Sequence, residues 1–347
     1  MTNALTIPAT QNQPPESNTS SLRHDVAAAA RALAGARRIW VGTHIDPDGD
    51  AIGSMLGLAA VLEDAGHQVT MACQEEPPPE VAFLPGLERI GRQAPGGHDL
   101  AVAIDCGALG RLGDLVDPAT WQRMATIVID HHLSNTRFGA INVVDPTVAS
   151  ASEIVLTLAD EMVAPISPAA AMSLLTGIVT DTIGFRTSNT RPETLDRARR
   201  LMAQGGSLAT ITQGVFYTRP VAVLQLLSRA IARLVVDGPF AVTTLRLADL
   251  EELGLTSAAM RGVTEQLSTA REPLVIGLLR EREDGSVDLS LRSKPGIDVI
   301  PAARALGGGG HPQAAGARWD SELGDATRAV WAALREHVRI PAGATRA

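Results

Sequence analysis

Between residues 38 and 144 five short apolar runs recur, at 39–41, 69–71, 100–104, 127–129 and 141–144, with helix-forming or turn-rich sequence between them. Near-continuous apolar runs this short suit strands buried on both faces, which is the condition of a parallel sheet covered by helices. The chain is therefore expected to be α/β, with an N-terminal domain built on a mainly parallel five-stranded sheet flanked by helices. Residues 51–65 form the first connecting helix, and Gly66 is expected to close it in a left-handed conformation.

After Asp145-Pro146 the pattern becomes helical. Ser150 and Glu153 have the spacing of a capping box for a helix reaching about residue 161, and Ser167-Pro168 opens another that runs toward Asp181. The amphipathic stretch 221–235 ends at Asp237-Gly238-Pro239, turn residues expected to mark the domain boundary. Strand-like runs follow at 240–245, 274–279 and 287–291, the last two joined as a hairpin at Gly285. With helical segments at 258–267, 299–306 and 323–337 they make a smaller α/β second domain. The first 21 residues, rich in Pro, Asn, Gln, Ser and Thr, are expected to be a disordered tail without the features of a secretory signal. The expected division is tail 1–21, first domain 22–220, linker helix 221–238 and second domain 239–347.

Composition narrows the function. The chain has 347 residues, 45% apolar, enough to bury a core. A formal charge of -8 argues against a basic surface that coats long nucleic acids. No apolar run approaches the ~18 residues of a membrane span, since Arg31, Arg37 and Arg38 interrupt the Ala-rich stretch that comes nearest. Cys73 and Cys106 both lie in apolar runs and outside any CxxC pattern, so a reducing cytoplasm is expected.

The densest polar cluster, His44-Ile45-Asp46-Pro47-Asp48-Gly49-Asp50, follows the first apolar run directly. In open α/β sheets ligands bind beyond the carboxyl ends of the strands. Asp105 closes the third run, Asp130-His131-His132 closes the fourth, and Asp181 ends a long apolar helix. Any one aspartate would serve equally well as a helix or turn cap. Four successive element ends with Asp or His, two of the histidines adjacent, point instead to a site for divalent cations, because converging carboxylates repel each other unless cations hold them. His24, His67, His98 and His337 lie outside such settings.

These residues resemble the signature motifs of the DHH phosphoesterase superfamily: the HIDPDGD segment, Asp105, the Asp130-His131-His132 triplet and Asp181. Farther on, Ser290-Leu291-Arg292-Ser293-Lys294 and Gly307-Gly308-Gly309-Gly310-His311 with Ala314-Ala315-Gly316 resemble the DHH-associated C-terminal domain. The resemblance runs from about residue 21 to 338. It implies two divalent ions, manganese by preference with magnesium or cobalt as substitutes. One would be held by His44, Asp48 and Asp105, the other by Asp50, Asp105, His131 and Asp181, with Asp105 as the catalytic bridge. It places His132 beside the substrate as a catalytic group, and assigns substrate contacts to Arg292, Ser293, Gly308, Gly309, Gly310 and His311. Arg186 is a further candidate contact from the first domain.

The implied activity is hydrolysis of short oligoribonucleotides (nanoRNA, pApA) to mononucleotides and of 3′-phosphoadenosine 5′-phosphate (pAp) to AMP in the cytoplasm, with a homodimer as the expected assembly. The alternative is a cyclic-di-AMP phosphodiesterase free of membrane segments, and a more distant one is a non-catalytic nucleotide sensor. The latter should have lost metal-ligand positions, and here every one is present. Long-strand exonucleases of the superfamily carry additional nucleic-acid-binding modules, and inorganic pyrophosphatases have a different second domain.

Overall fold

The structure is a computed structural model that describes residues 16–217, 220–256 and 259–341. The chain divides into two units near residue 218. The first contains α1 (Glu16–Gly35), β1 (Arg38–Gly42), α2 (Gly49–Asp64), β2 (Gln68–Ala72), β3 (Leu100–Ile104), α3 (Pro118–Arg123), β4 (Thr126–Asp130), β5 (Ile141–Val144), α4 (Ala151–Glu161), α5 (Pro168–Asp181), α6 (Pro192–Ala203) and α7 (Leu208–Phe216). Its five strands lie in the order β2-β1-β3-β4-β5 and are all parallel.

Alternate residues of each strand feed two apolar layers, as a sheet buried on both faces requires. Ile39, Val41, Val102, Ile104, Ile127 and Ile129 pack with residues of α1, α2, α4 and α5. Trp40, Ala101, Ala103 and Val128 pack on the other side with Leu112, Leu115 and Trp121. On that second face the Trp40 ring lies over Gly42, where a Cβ would fall 2.0 Å from the ring.

Helices α2 and α5 cross at unusually close range. Gly49, Gly53 and Gly57 recur every fourth residue of α2 and so line one face of it. A Cβ at Gly53 would lie 2.6 Å from Ser173 O and 2.8 Å from Gly177 N of α5. This crossing brings the start of α2 to the end of α5. At its far end α2 stops as expected: Gly66 has φ +93°, and the N–H of His67 donates to Leu62 O at 3.0 Å.

The second unit contains α8 (Val221–Ala232), β6 (Val235–Asp237), β7 (Phe240–Leu245), α9 (Leu247–Glu251), α10 (Met260–Ser268), β8 (Val275–Glu281), β9 (Ser286–Ser293), α11 (Ile300–Ala305), β10 (Gly309–His311), β11 (Ala314–Asp320) and α12 (Leu323–His337). The sheet order is β10-β11-β9-β8-β7-β6, antiparallel except between β7 and β8. Helices α11 and α12 cover one face, α8 and α10 the other. Gly285, at φ +80°, turns β8 into β9 as its position suggests.

Four expectations need correction. Helix α1 starts at Glu16, so residues 16–21 are helical, propagated from the alanine-rich turns that bury Val26, Ala29 and Leu33; residues 1–15 lie outside the described residues. Residues 221–238 are not a linker, because Leu226 and Ala230 of α8 are buried in the second unit and β6 pairs with β7. Asp237-Gly238-Pro239 is the hairpin turn between those strands, with Gly238 at φ +55°. Ser150 and Glu153 do not form a capping box: the Ser150 hydroxyl has no hydrogen-bond partner, and Glu153 turns inward to Arg197 and Thr194 of α6.

Candidate functional site

The parallel sheet delivers His44 two residues beyond β1, Asp105 directly after β3, and His131 and His132 directly after β4. Helix α2 contributes Asp48 as its N-cap and Asp50 in its first turn, and α5 ends on Asp181. All seven meet at the carboxyl ends of the strands. Asp105 stands at the middle, 2% exposed, in a left-handed backbone conformation (φ +52°) that a non-glycine residue adopts only when its surroundings impose it.

The distances define two overlapping groups. His44 Nε2 lies 3.6 Å from Asp105 Oδ2, and Asp48 completes that group. His131 Nε2 lies 3.5 Å from Asp105 Oδ1, 3.6 Å from Asp181 Oδ2 and 4.0 Å from Asp50 Oδ2. The candidate ligand atoms of His44, Asp48 and Asp105 lie within 4.8 Å of one another, as do those of Asp50, His131 and Asp181, and those of Asp105, Asp130, His131 and His132.

Electrostatics favour positive charge at the cluster. Burial and the neighbouring charges of Asp105 and Asp181 push the Asp50 carboxyl well above the usual range. Asp181 is raised to about 6, by burial first, with Asp105 and Asp48 adding to it against His131. Burial would lower the His131 imidazole, but Asp105, Asp50 and Asp181 outweigh it and hold it at about 10. Burial also works to raise Asp105, yet the imidazoles of His131, His44 and His132 keep it below its ordinary value. Asp105 Oδ1, though buried, has no hydrogen-bond partner. An orphaned carboxylate oxygen among four carboxylates, with imidazole nitrogens beside it, is a donor set that divalent first-row cations satisfy. The residues fit such ions.

Neighbouring groups orient the donors. His44 Nδ1 lies 2.8 Å from Ile45 O, turning Nε2 toward Asp105, and Arg111 Nη2 approaches the same Nδ1 at 3.0 Å. Asp48 Oδ1 accepts the N–H groups of Asp50 and Ala51, both at 3.0 Å, so this carboxylate caps α2 as well as facing the cluster. Asp130 is fully buried with both oxygens occupied: Oδ1 accepts the His131 N–H at 2.8 Å and lies 2.7 Å from His132 Nδ1, while Oδ2 accepts from Asn135. His132 is half exposed, and its bond to Asp130 raises its pKa.

Arg186 does not join the cluster. Its Nε donates to Ile183 O at 2.6 Å and its guanidinium lies over the Phe216 ring at 5.8 Å. Within the second unit, Arg292, Ala314 and His311 are direct partners across β9, β11 and β10, which places Arg292 and His311 in one row about 10 Å apart. The second half of the glycine run, Gly309 and Gly310, is the start of strand β10. A Cβ at Gly308 would lie 2.0 Å from Gly316 O, and one at Gly310 (φ +142°) 2.5 Å from Ala314 O, whereas Gly309 has open space. Close packing on β11 therefore accounts for two of the three glycines. The Ser293 hydroxyl donates to Ile297 O at 2.6 Å, tying down the following loop.

Sequence reasoning missed Ala151 and Ser152, which bind Asp50, and Arg111 and Asn135. Only the every-fourth glycine spacing of α2, a sign of close helix contact, carried a readable signal.

The fold and this site define a two-domain phosphoesterase of the DHH type. The model of the DHH family N-terminal domain matches residues 38–178, and that of the DHHA1 domain matches residues 237–336. The chain is 34% identical over 305 residues to the bifunctional oligoribonuclease and PAP phosphatase NrnA of Thermus thermophilus, covering 86% of this chain and 90% of that protein. It is 27% identical over 284 residues to the Bacillus subtilis protein of the same name, covering 80% and 88%. An exopolyphosphatase-related protein from Bacteroides fragilis has the same fold, with a TM-score of 0.82 and 25% identity over 90% of this chain and 96% of that one. The chain belongs to the DHH/DHHA1 phosphoesterase family. Among the described residues no helix is long and apolar enough to cross a membrane.

Proposed function

We propose that this chain hydrolyses short oligoribonucleotides such as pApA to mononucleotides, and pAp to AMP, with two divalent ions, manganese by preference. The observation that carries the reading is the cluster of four aspartates and two histidines centred on buried Asp105. His44, Asp48 and Asp105 would hold one ion; Asp50, Asp105, His131 and Asp181 would hold the other. Such a pair supplies a more acidic water and neutralises the phosphoryl oxygens. The choice of substrate is supported by likeness to the Thermus thermophilus enzyme.

The protein groups then do the rest. Asp130 Oδ1 lies 2.7 Å from His132 Nδ1, leaving Nε2 free of that contact, and the same carboxylate raises the imidazole's pKa, which favours its protonated form. As the water oxygen bonds to phosphorus and the ester P–O bond breaks, His132 donates its Nε2 proton to the leaving oxygen and regains one from water. In the second unit, Arg292, the open backbone at Gly309 and His311 bind the part of the nucleotide that is not cleaved, Arg292 through its planar fork.

The test is release of AMP and phosphate from pAp, pApA and cyclic di-AMP by Mn2+-loaded protein. Turnover of pAp and pApA that chelation abolishes and Mn2+ restores is the expected result. Full activity in stringently metal-free protein overturns the metal reading, and faster turnover of cyclic di-AMP than of pApA overturns the substrate assignment.

A further inference from the structure

Asp50 belongs to α2, yet both its carboxylate oxygens are bound by the first turn of α4. Oδ1 accepts the Ser152 hydroxyl at 2.8 Å and the Ser152 N–H at 3.2 Å, and Oδ2 accepts the Ala151 N–H at 2.6 Å. The N-terminus of a helix presents unpaired N–H groups and a favourable dipole to an anion, which compensates for burying this carboxylate to 1% exposure. The two oxygens are left unequal. Oδ1 has both lone pairs committed, whereas Oδ2 has one committed and is the oxygen that faces His131 Nε2.

We infer that Ser152 is a positioning residue that makes Asp50 a one-oxygen metal ligand, through Oδ2. The inference rests on the two-ion reading given above. Without the Ser152 hydroxyl, Oδ1 regains a lone pair and Asp50 can offer either oxygen, or both, so the geometry of one ion is no longer fixed. Ser152 and Asp50 are packed beneath α5, where a Cβ at Gly177 would fall 2.1 Å from Ser152 Oγ and 2.4 Å from Asp50 Oδ1. The absent side chain at 177 is what leaves room for the pair.

The start of α4 is clamped independently of Asp50. Glu153, fully buried, accepts the Ala149 N–H at 2.9 Å and the Thr194 hydroxyl at 3.0 Å, and its other oxygen binds Arg197. Removing the serine hydroxyl therefore removes a bond to the ligand without releasing the helix end.

The experiment is Mn2+ titration of the full chain, followed by electron paramagnetic resonance of free and spin-coupled ion, beside thermal melting of the metal-free protein. For S152A one of the two sites should weaken by about 10–100-fold, as loss of a group that orients a ligand typically does, with the other site unchanged. G177A keeps the hydroxyl but pushes a methyl into the pair, and should weaken the same site although alanine is the better helix former. Parent-like binding of both ions by S152A, or equal weakening of both together with a large loss of melting temperature, overturns the role of Ser152. If S152A does not fold, parent-like binding of both ions by G177A overturns it instead. A parent chain that binds no Mn2+ refutes the two-ion reading itself.

Discussion

Gly53→Ala tests how closely α2 and α5 cross. A Cβ on residue 53 would lie 2.6 Å from Ser173 O, which is about 0.8 Å inside ordinary van der Waals contact, and the obstacle is main chain that cannot rotate away. Alanine in a helix interior is favoured over glycine by ~0.8–1.0 kcal/mol, so an unhindered site would be stabilised. Overpacking a tight core costs ~1–3 kcal/mol, and more where no side chain can yield. The net loss expected is about 1–2 kcal/mol, or roughly 2–8 °C in melting temperature for a unit of this size. The same separation moves Asp48 and Asp50 away from Asp181, and a ~1 Å misplacement of reacting groups can cost 10²-fold in rate. Thermal melting of metal-free protein and Mn2+ titration read the two effects. Gly35→Ala is the control, since nothing lies within 4 Å of a Cβ there, and it should stay within about 0.5 kcal/mol of the parent. If G53A melts as high as the parent and binds Mn2+ as tightly, the close crossing is wrong.

Other outcomes follow from single contacts. His132→Ala should keep both ions while losing about 10²–10⁴-fold in turnover, and metal analysis showing one ion per chain instead of two would make His132 a ligand. Arg292→Ala should cost about tenfold or more on pApA, in line with loss of a charge-assisted hydrogen bond, and much less on bis-para-nitrophenyl phosphate; equal losses would remove Arg292 from substrate binding. Asp249 is held at about 2 by Arg233, with Arg229 and the Arg246 N–H adding, against burial. A depressed carboxyl contributes stability that is present above the unfolded value of ~3.9 and disappears as pH falls through about 2. Asp249→Asn should therefore melt below the parent at pH 7, with the gap closing between about pH 4 and 2; a gap independent of pH would contradict the ionic role.

The first sheet was legible because burial on both faces turns each strand into an unbroken apolar run, and the same rule located His44, Asp105 and His131 just past strand ends. Gly66 was legible because its cap is local. What the sequence hid depends on partners far along the chain. Glu153 has the spacing of a capping residue but is drawn to Thr194 and Arg197, 41 and 44 residues away. Glycines 308 and 310 carry no strand signal, since glycine is depleted in strands, yet the close approach of β11 leaves no room for a Cβ at either. Asp-Gly-Pro is equally good chemistry for a hairpin and for a linker, so Asp237-Gly238-Pro239 did not distinguish them.

Hydrogen-bond saturation sorts the aspartates in a way residue type does not. Asp130 and Asp105 each adjoin the histidine pair, and both are buried, but each oxygen of Asp130 has a hydrogen-bond partner, Oδ1 in the His131 N–H and the His132 ring and Oδ2 in Asn135. Its Oδ1 is fully used by the histidine pair, and through that oxygen it holds His132. Asp105 lacks such donors, keeps Oδ1 without a hydrogen bond, and lies within 3.6 Å of imidazole nitrogens on both sides. Asp48 and Asp50 fall between: Asp48 has one oxygen engaged in the α2 cap, and Asp50 has both oxygens bound by the start of α4 but keeps one lone pair on Oδ2, the oxygen nearest His131. For Asp48 and Asp50 the oxygens left open are set by where helices α2 and α4 begin, and those positions follow from the α2–α5 crossing and the Glu153 clamp. A change that moves either helix end without touching a single aspartate should alter which oxygens of Asp48 and Asp50 stay open toward the cluster.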